Sequence, residues 1–399
     1  VITPRTTLLA VAATALLLAS CGSGDDDEAT TTTEADGGTT TSAASTDPEG
    51  ADPAYAEPGP NEVGVHTFAL ADGRRVVSWY PATDAAADQP TESFDIASLL
   101  SPDLQAQIPA DLRPQYEIDA HPGAEPGTEG PYPVVLFSHG FAGFPEQSAD
   151  LVTHLASWGF VVVAPDHVER SLSGLLGTAA QGVEPREDPE VLSDSLDVAL
   201  AADEDAPIAG LLDVEQVAVV GHSAGAGAAY LTASSDDRID AFIAYSVGEG
   251  RAEEGEEPVE RPVPDVPGMV MLGDGDGIIP AEDSRAVYEA METPKHLVEI
   301  AEAGHLVFSD LCLIGEEQGG LVGLIEAAEL ELPENLIRLA SDGCEDDRPD
   351  PAEAFGAIDH FSVAFLRNVF GIDPEPVGMN QATADTFVPA EITYQQDLG

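Results

Sequence analysis

The sequence predicts an α/β fold, a mostly parallel central sheet with helices on both faces. Three observations predict it. Short apolar runs of strand length recur at Val134–Ser138, Phe160–Ala164, Val217–Val220, Ala241–Val247 and Met269–Leu272. They are continuous rather than alternating, as in strands buried on both faces. Between them lie stretches with apolar residues at helical spacing, such as Leu151, Val152, Leu155 and Trp158. Finally, 43% of the 399 residues are hydrophobic and 22% charged, enough to bury a substantial core.

From the start of the chain, Arg5 precedes an apolar run, Leu8–Leu18. The run is too short for a bilayer, which needs about 20 residues, and fits a secretory signal. It ends Leu18-Ala19-Ser20-Cys21, which resembles a bacterial lipobox. That resemblance implies a signal peptide over 1–20 and a lipid carried on Cys21. The chain is then expected on the outer face of a bacterial cell membrane. Residues 22–60 hold no base, and Tyr55 is their only aromatic. Such a segment buries too little to offset its ordering entropy, so 21–60 is expected to be a disordered acidic tether.

The main domain is expected over 61–372. Val63–Leu70 and Arg74–Tyr80 flank the turn Ala71-Asp72-Gly73 and predict an antiparallel hairpin. Residues 82–130 are polar and Pro-rich, with a short helix expected near 97–107. Helices are expected over Glu146–Trp158, Leu192–Ala202, Ala224–Ser234, Ala281–Met291 and Ala354–Val369, and a last strand over Leu297–Ile300. Residues 373–399 read as an irregular tail, and 249–265 as a solvated acidic loop.

The charge balance excludes one function class. Fourteen basic residues stand against 74 acidic ones, for a net charge of −60. No nucleic-acid partner is expected, because phosphate neutralisation needs cations this chain lacks. Self-repulsion on this scale costs stability wherever salt does not screen it.

The chemistry concentrates in Val217-Ala218-Val219-Val220-Gly221-His222-Ser223-Ala224-Gly225. A strand runs into G-x-S-x-G and then into a helix rich in small residues, the context of a nucleophile elbow. The turn is tight enough to require small residues at Gly221 and Gly225. A serine nucleophile needs a base and a group to orient it. Of the histidines after Ser223, His305 follows the strand 297–300 in Glu302-Ala303-Gly304-His305, where the base is expected. His296 reads as a solvated surface residue and His360 as a packed helix residue. The acid is expected after Met269–Leu272, where Asp274 and Asp276 compete. The spacing G-x-x-D-x-x-x-P, from Gly273 to Pro280, favours Asp276. Asp274 is then a turn residue bonded to its own backbone. The oxyanion hole takes the amide of Ala224 and, from the loop Ser138-His139-Gly140-Phe141, that of Phe141. Phe141 and Phe144 are expected to line the substrate pocket. His139 is expected to brace the oxyanion loop and His222 to pack beneath the site.

With these residues in place, the chain resembles the α/β-hydrolase superfamily over about 60–372. The segment SHGFAGFPEQSADLVTHLASWGFVVVAPDHVERS (138–171) is similar to the platelet-activating-factor acetylhydrolase and dienelactone-hydrolase-like group, and to polyester-degrading cutinases. The resemblance implies a serine carboxylic ester hydrolase for short-acyl, lipid-like or polyester-type esters, with no cofactor and no metal. The chain departs from dienelactone hydrolases in carrying Ser223 rather than Cys. It departs from the acetylhydrolases in lacking an Asp in Ala244-Tyr245-Ser246-Val247, so the acid moves to Asp276, as in cutinases. A non-catalytic binding lipoprotein on the same fold, or an acyltransferase with the same triad, are the alternatives.

Apart from Cys21, the cysteines are Cys312 and Cys344. An exported domain is oxidised, so a disulfide between them is expected. It staples an insertion, 311–352, between His305 and the last long helix. This insertion is expected to border and gate the site, with 171–190 as a second wall.

Overall fold

The computed structural model describes residues 50–109, 113, 115–249, 261–316, 320–327, 334–345 and 348–399. The expected signal segment 1–20, Cys21, the tether up to residue 49 and most of the acidic loop 249–265 lie outside the described residues.

The expected hairpin is β1 (Glu62–Ala69) and β2 (Arg75–Ala82), with Val65 opposite Trp79. Next, β3 (Glu92–Asp95) and β4 (Gln115–Ile118) pair as a small separate sheet. Between them the expected helix is split into a 3-10 turn at Ile96–Leu99 and the single turn α1 (Pro102–Gln105). Pro102 can start a helix but not continue one, which explains the break. A short strand, β5 (His121–Pro122), then returns to β1.

The alternating part follows the sequence pattern. It runs β6 (Tyr132–Ser138), α2 (Ala149–Ser157), β7 (Val161–Pro165), α3 (Leu172–Leu175) and α4 (Asp188–Leu200). It continues with β8 (Leu212–His222), α5 (Ala224–Ala233), β9 (Ala241–Tyr245), β10 (Gly268–Gly273), α6 (Ala281–Ala290) and β11 (Lys295–Ile300). Helix α4 starts before the expected Leu192, because Pro189 fits its first turn. After the insertion, which carries α7 (Gly320–Ala327) and α8 (Glu334–Leu339), come α9 (Pro351–Val369), α10 (Gln381–Ala384) and β12 (Ile392–Asp397).

Among the described residues the main sheet has the order β12-β11-β10-β9-β8-β6-β7-β2-β1-β5. Its centre, from β7 to β11, is parallel. Strand residues alternate between two cores. Val135, Phe137, Ala218, Val220, Met269 and Met271 face α2 and α9, where Val152, Leu155, Phe361 and Phe365 pack. Val134, Leu136, Val217, Val219, Val270 and Leu272 face α4, α5 and α6, with Leu192, Leu196, Ala229 and Val287.

Three expectations are corrected. Residues 373–399 are not an irregular tail: β12 pairs antiparallel with β11 along its full length. That pairing also overturns the surface assignment of His296, which is buried with Nδ1 2.8 Å from the Tyr394 hydroxyl. Finally, residues 50–60 do not belong to a tether. Tyr55 is buried against Trp158 and accepts the stacked ring of His360, while its backbone N–H donates to His360 Nδ1. His360 itself is a packed helix residue, as expected.

Candidate active site

Ser223 sits between β8 and α5 with φ +59°, a conformation few non-glycine residues adopt. Neighbouring glycines permit it. A Cβ at Gly225 would lie 1.9 Å from the Ser138 carbonyl oxygen, and one at Gly221 would lie 2.2 Å from that of Gly225. The Ser223 backbone N–H is held by the Tyr245 carbonyl at 2.8 Å. This turn lifts the hydroxyl off the strand end and places it at the N-terminus of α5, where negative charge is favoured.

Ser223 Oγ lies 2.8 Å from His305 Nε2, and His305 Nδ1 lies 2.7 Å from Asp276 Oδ2. The structure thus brings together the three residues that the spacing selects. The imidazole is fully buried, and the Asp276 carboxylate nearly so. Asp276 Oδ1 accepts the N–H groups of Ile278 and Ile279, both at 2.8 Å. Burial raises the Asp276 pKa, but His305 and these two amides outweigh it and hold the carboxyl below its ordinary value. Asp274 is exposed and accepts the backbone N–H of Glu302, not of its own turn.

The oxyanion loop follows β6. Gly140 N–H donates to Gln147 Oε1 at 3.0 Å, and Ala142 N–H to the Arg170 carbonyl at 2.7 Å. Among the described residues, the amides of Phe141 and Ala224 have no acceptor within the protein. Arg170 fixes the loop from beneath, donating Nη1 to the carbonyl of Gly140 at 2.9 Å and Nη2 to Ser138 Oγ at 2.9 Å. His139 Nδ1 donates to the Gly140 carbonyl at 2.8 Å, and its Nε2 accepts from the His167 backbone at 3.0 Å. It braces the loop as expected.

Sequence reading missed two residues here. Gln147 spans the space between the oxyanion loop and His222, its Nε2 3.1 Å from His222 Nδ1. His222 Nε2 in turn donates to the His305 carbonyl at 2.9 Å. A buried amide thus links the Ser138–Phe141 loop, through His222, to His305. Burial, then the neighbouring His305, pushes His222 down to about 3, so it stays neutral and keeps this donor–acceptor pattern. The second missed residue is Asp342, in the insertion, which bonds the backbone of His305. Asp342 lies in no motif, and nothing within the 138–171 segment singles out Gln147, so only packing reveals either.

A cleft of about 730 Å³ opens on Ser223 and Ala224. Arg186, Asp188, Leu231, Arg261 and Ile279 are among its walls, so part of 171–190 does form a wall. Phe144 is not in it. Its ring is buried in the core and stacks on Phe94 at 5.2 Å, which corrects its assignment to the substrate pocket. Phe141 is half-buried in its turn and does not line this cleft either. The disulfide between Cys312 and Cys344 is formed.

Residues 123–246 match the chlorophyllase family. Chlorophyllase-2 of Arabidopsis thaliana is 26% identical over 279 residues, covering 59% of this chain and 85% of that one. A platelet-activating factor acetylhydrolase of Cavia porcellus is 28% identical over 159 residues, 30% of this chain and 36% of that one. Among solved structures, a ferulic acid esterase from Streptomyces cinnamoneus matches with a TM-score of 0.54 at 19% identity, covering 86% of this chain and 98% of that one. The chain therefore has the α/β-hydrolase fold and is similar to carboxylic ester hydrolases.

Proposed function

We propose that this chain is a cell-envelope serine ester hydrolase that works through an acyl-enzyme on short-acyl, lipid-like or polyester-type esters. The reading also places it outside the cell, lipid-anchored at Cys21. The observation that carries the hydrolase reading is the continuous chain of hydrogen bonds from Ser223 through His305 to Asp276, at the edge of an open cleft. Ser223 Oγ attacks the ester carbonyl while His305 Nε2 takes its proton. Asp276, held ionised, stabilises the imidazolium through Nδ1. The developing oxyanion takes the amides of Phe141 and Ala224, which have no competing acceptor among the described residues. His305 then protonates the leaving alcohol. Water, deprotonated by the same nitrogen, releases the acid from Ser223. Charged walls around a few apolar side chains favour short acyl groups over long ones.

The test is hydrolysis of p-nitrophenyl esters from acetate to dodecanoate by the full chain and by Ser223→Ala. The expected result is a maximum at short chains and a loss of about 10⁴-fold or more in kcat for the variant. Unchanged activity in Ser223→Ala overturns the reading, and a maximum at dodecanoate overturns the substrate class.

A further inference from the structure

We propose that Asp342 is a positioning residue for Ser223 chemistry, and that the Cys312–Cys344 disulfide keeps it in place. The proposal rests on the hydrolase reading above and says how the stapled insertion serves it. A single oxygen, Asp342 Oδ2, accepts two backbone N–H groups, from His305 at 2.7 Å and from Gly277 at 3.0 Å. The first belongs to the residue that carries the imidazole. The second belongs to the residue that follows Asp276. In addition, the Asp342 carbonyl accepts the Leu306 N–H at 3.0 Å. One residue of the insertion therefore ties the loop after β10, which carries the acid, to the loop after β11, which carries the base.

The contact is close and shielded. Asp342 is 5% exposed, and hydrogen bonds to a carboxylate are stronger than those between neutral groups. A Cβ at Gly304 would lie 2.4 Å from Gly343 Cα, and one at Gly277 would lie 2.4 Å from Asp342 Oδ1. The glycines beside His305 and Asp276 thus admit the insertion to backbone contact. On the other side of Cys344, Arg348 Nη1 donates to the carbonyls of Gly275 at 2.7 Å and Glu302 at 3.2 Å. The same two loops are held from both sides of that cysteine. Its partner, Cys312, ends the 3-10 turn that follows the His305 turn. With the bridge open, only non-covalent contacts hold Asp342 against the two loops.

Asp342 bonds backbone, not the imidazole, so it sets where His305 and Asp276 stand rather than supplying a proton. A displacement on the order of 1 Å in such a site costs about 10²-fold in rate. The experiment is burst-phase acylation by p-nitrophenyl butyrate in the full chain and in Asp342→Ala, Asp342→Asn and Cys312→Ser. Asp342→Ala is expected to acylate about 10–100-fold more slowly. Its burst amplitude stays near wild type and its KM rises as acylation slows, whereas loss of folded protein would lower the amplitude and leave KM unchanged. Asp342→Asn is expected to recover most of the rate, since its amide oxygen can accept the same two N–H groups. Cys312→Ser is expected to slow acylation and to add little on top of Asp342→Ala. A wild-type rate in Asp342→Ala overturns the proposal. So does an Asn variant as slow as the Ala variant, or a loss confined to burst amplitude. If Asp342→Ala does not fold, the proposal stands on slowed acylation at full amplitude in Cys312→Ser and falls if that variant acylates at the wild-type rate. A wild-type chain with no Ser223-dependent burst overturns the hydrolase reading itself, before any Asp342 variant is compared.

Discussion

At Ser223 the backbone carries the cost of lifting the hydroxyl off the strand end. A non-glycine residue at φ +59° stores about 1–3 kcal/mol, which the surrounding structure must over-determine. Gly225 is the neighbour that makes the turn possible, because the Ser138 carbonyl fills the space a side chain there would need. Gly225→Ala is therefore expected to push α5 away from β6 and to lower kcat by about 10²-fold, with KM little changed. Steady-state kinetics on a short ester check this, and wild-type kcat in the variant refutes the steric account. The Gly221-x-Ser223-x-Gly225 spacing, His305 and the acid at the Gly273–Pro280 turn were legible in the sequence because each follows a strand end at a fixed offset. Gln147 and Asp342 were not, because their role depends on which loops the fold brings beside them.

At the scale of elements, the last strand decides more than its composition suggests. The segment around Ile392–Asp397 holds Thr, Tyr, Gln and Asp and offers little apolar pattern. Yet Ile392 and Tyr394 are buried, and the Tyr394 ring stacks on Phe361 at 5.2 Å. β12 also covers the edge of β11, whose unpaired backbone would otherwise invite association with another chain. Truncation after Glu391 is expected to destabilise the domain by about 3–6 kcal/mol, from two covered side chains at about 1.5–3 kcal/mol each. Urea unfolding of the truncated chain measures it, and an unchanged midpoint with no aggregation shows that β12 contributes nothing. The same strand helps explain why His296 is inside: Tyr394 of β12 and Phe365 of α9, both far along the chain, pack against its ring.

Over the whole molecule, buried titratable groups set the pH dependence of stability. Burial lowers His154, His167, His296 and His360 to about 4, and His222 to about 3. In the unfolded chain these histidines titrate near about 6.5. Between those values the unfolded state binds protons that the folded state refuses, so stability is lost as pH falls from about 6.5 to about 4. Buried acids act the other way. Burial raises Asp310 and Glu92 to about 7 and holds Asp359 well above the ordinary carboxylate range. They take up protons in the folded state first, so their contribution weakens as pH rises towards about 7. Asp150 is raised as well, and His66 and His139 are lowered, so seven histidines outweigh four acids. The urea midpoint is therefore expected to climb from pH 4 to about 6.5 and to level off or dip slightly near 7. A midpoint that is constant across that window sinks the balance.

The sequence by itself determined the layered architecture, since continuous apolar strands and amphipathic helices can bury their surfaces only in that way. It also singled out Ser223, His305 and Asp276 as the candidate triad, because these sit at strand ends whose position the local pattern fixes. Tertiary structure decided what no local pattern encodes. It placed Phe144 in the core rather than the pocket, drew residues 50–60 onto α2, α9 and α10, and set β12 on the sheet edge. It also laid Asp342 across the loops of Asp276 and His305. These are contacts between segments distant along the chain, and their free energy depends on which surfaces meet after the sheet has formed.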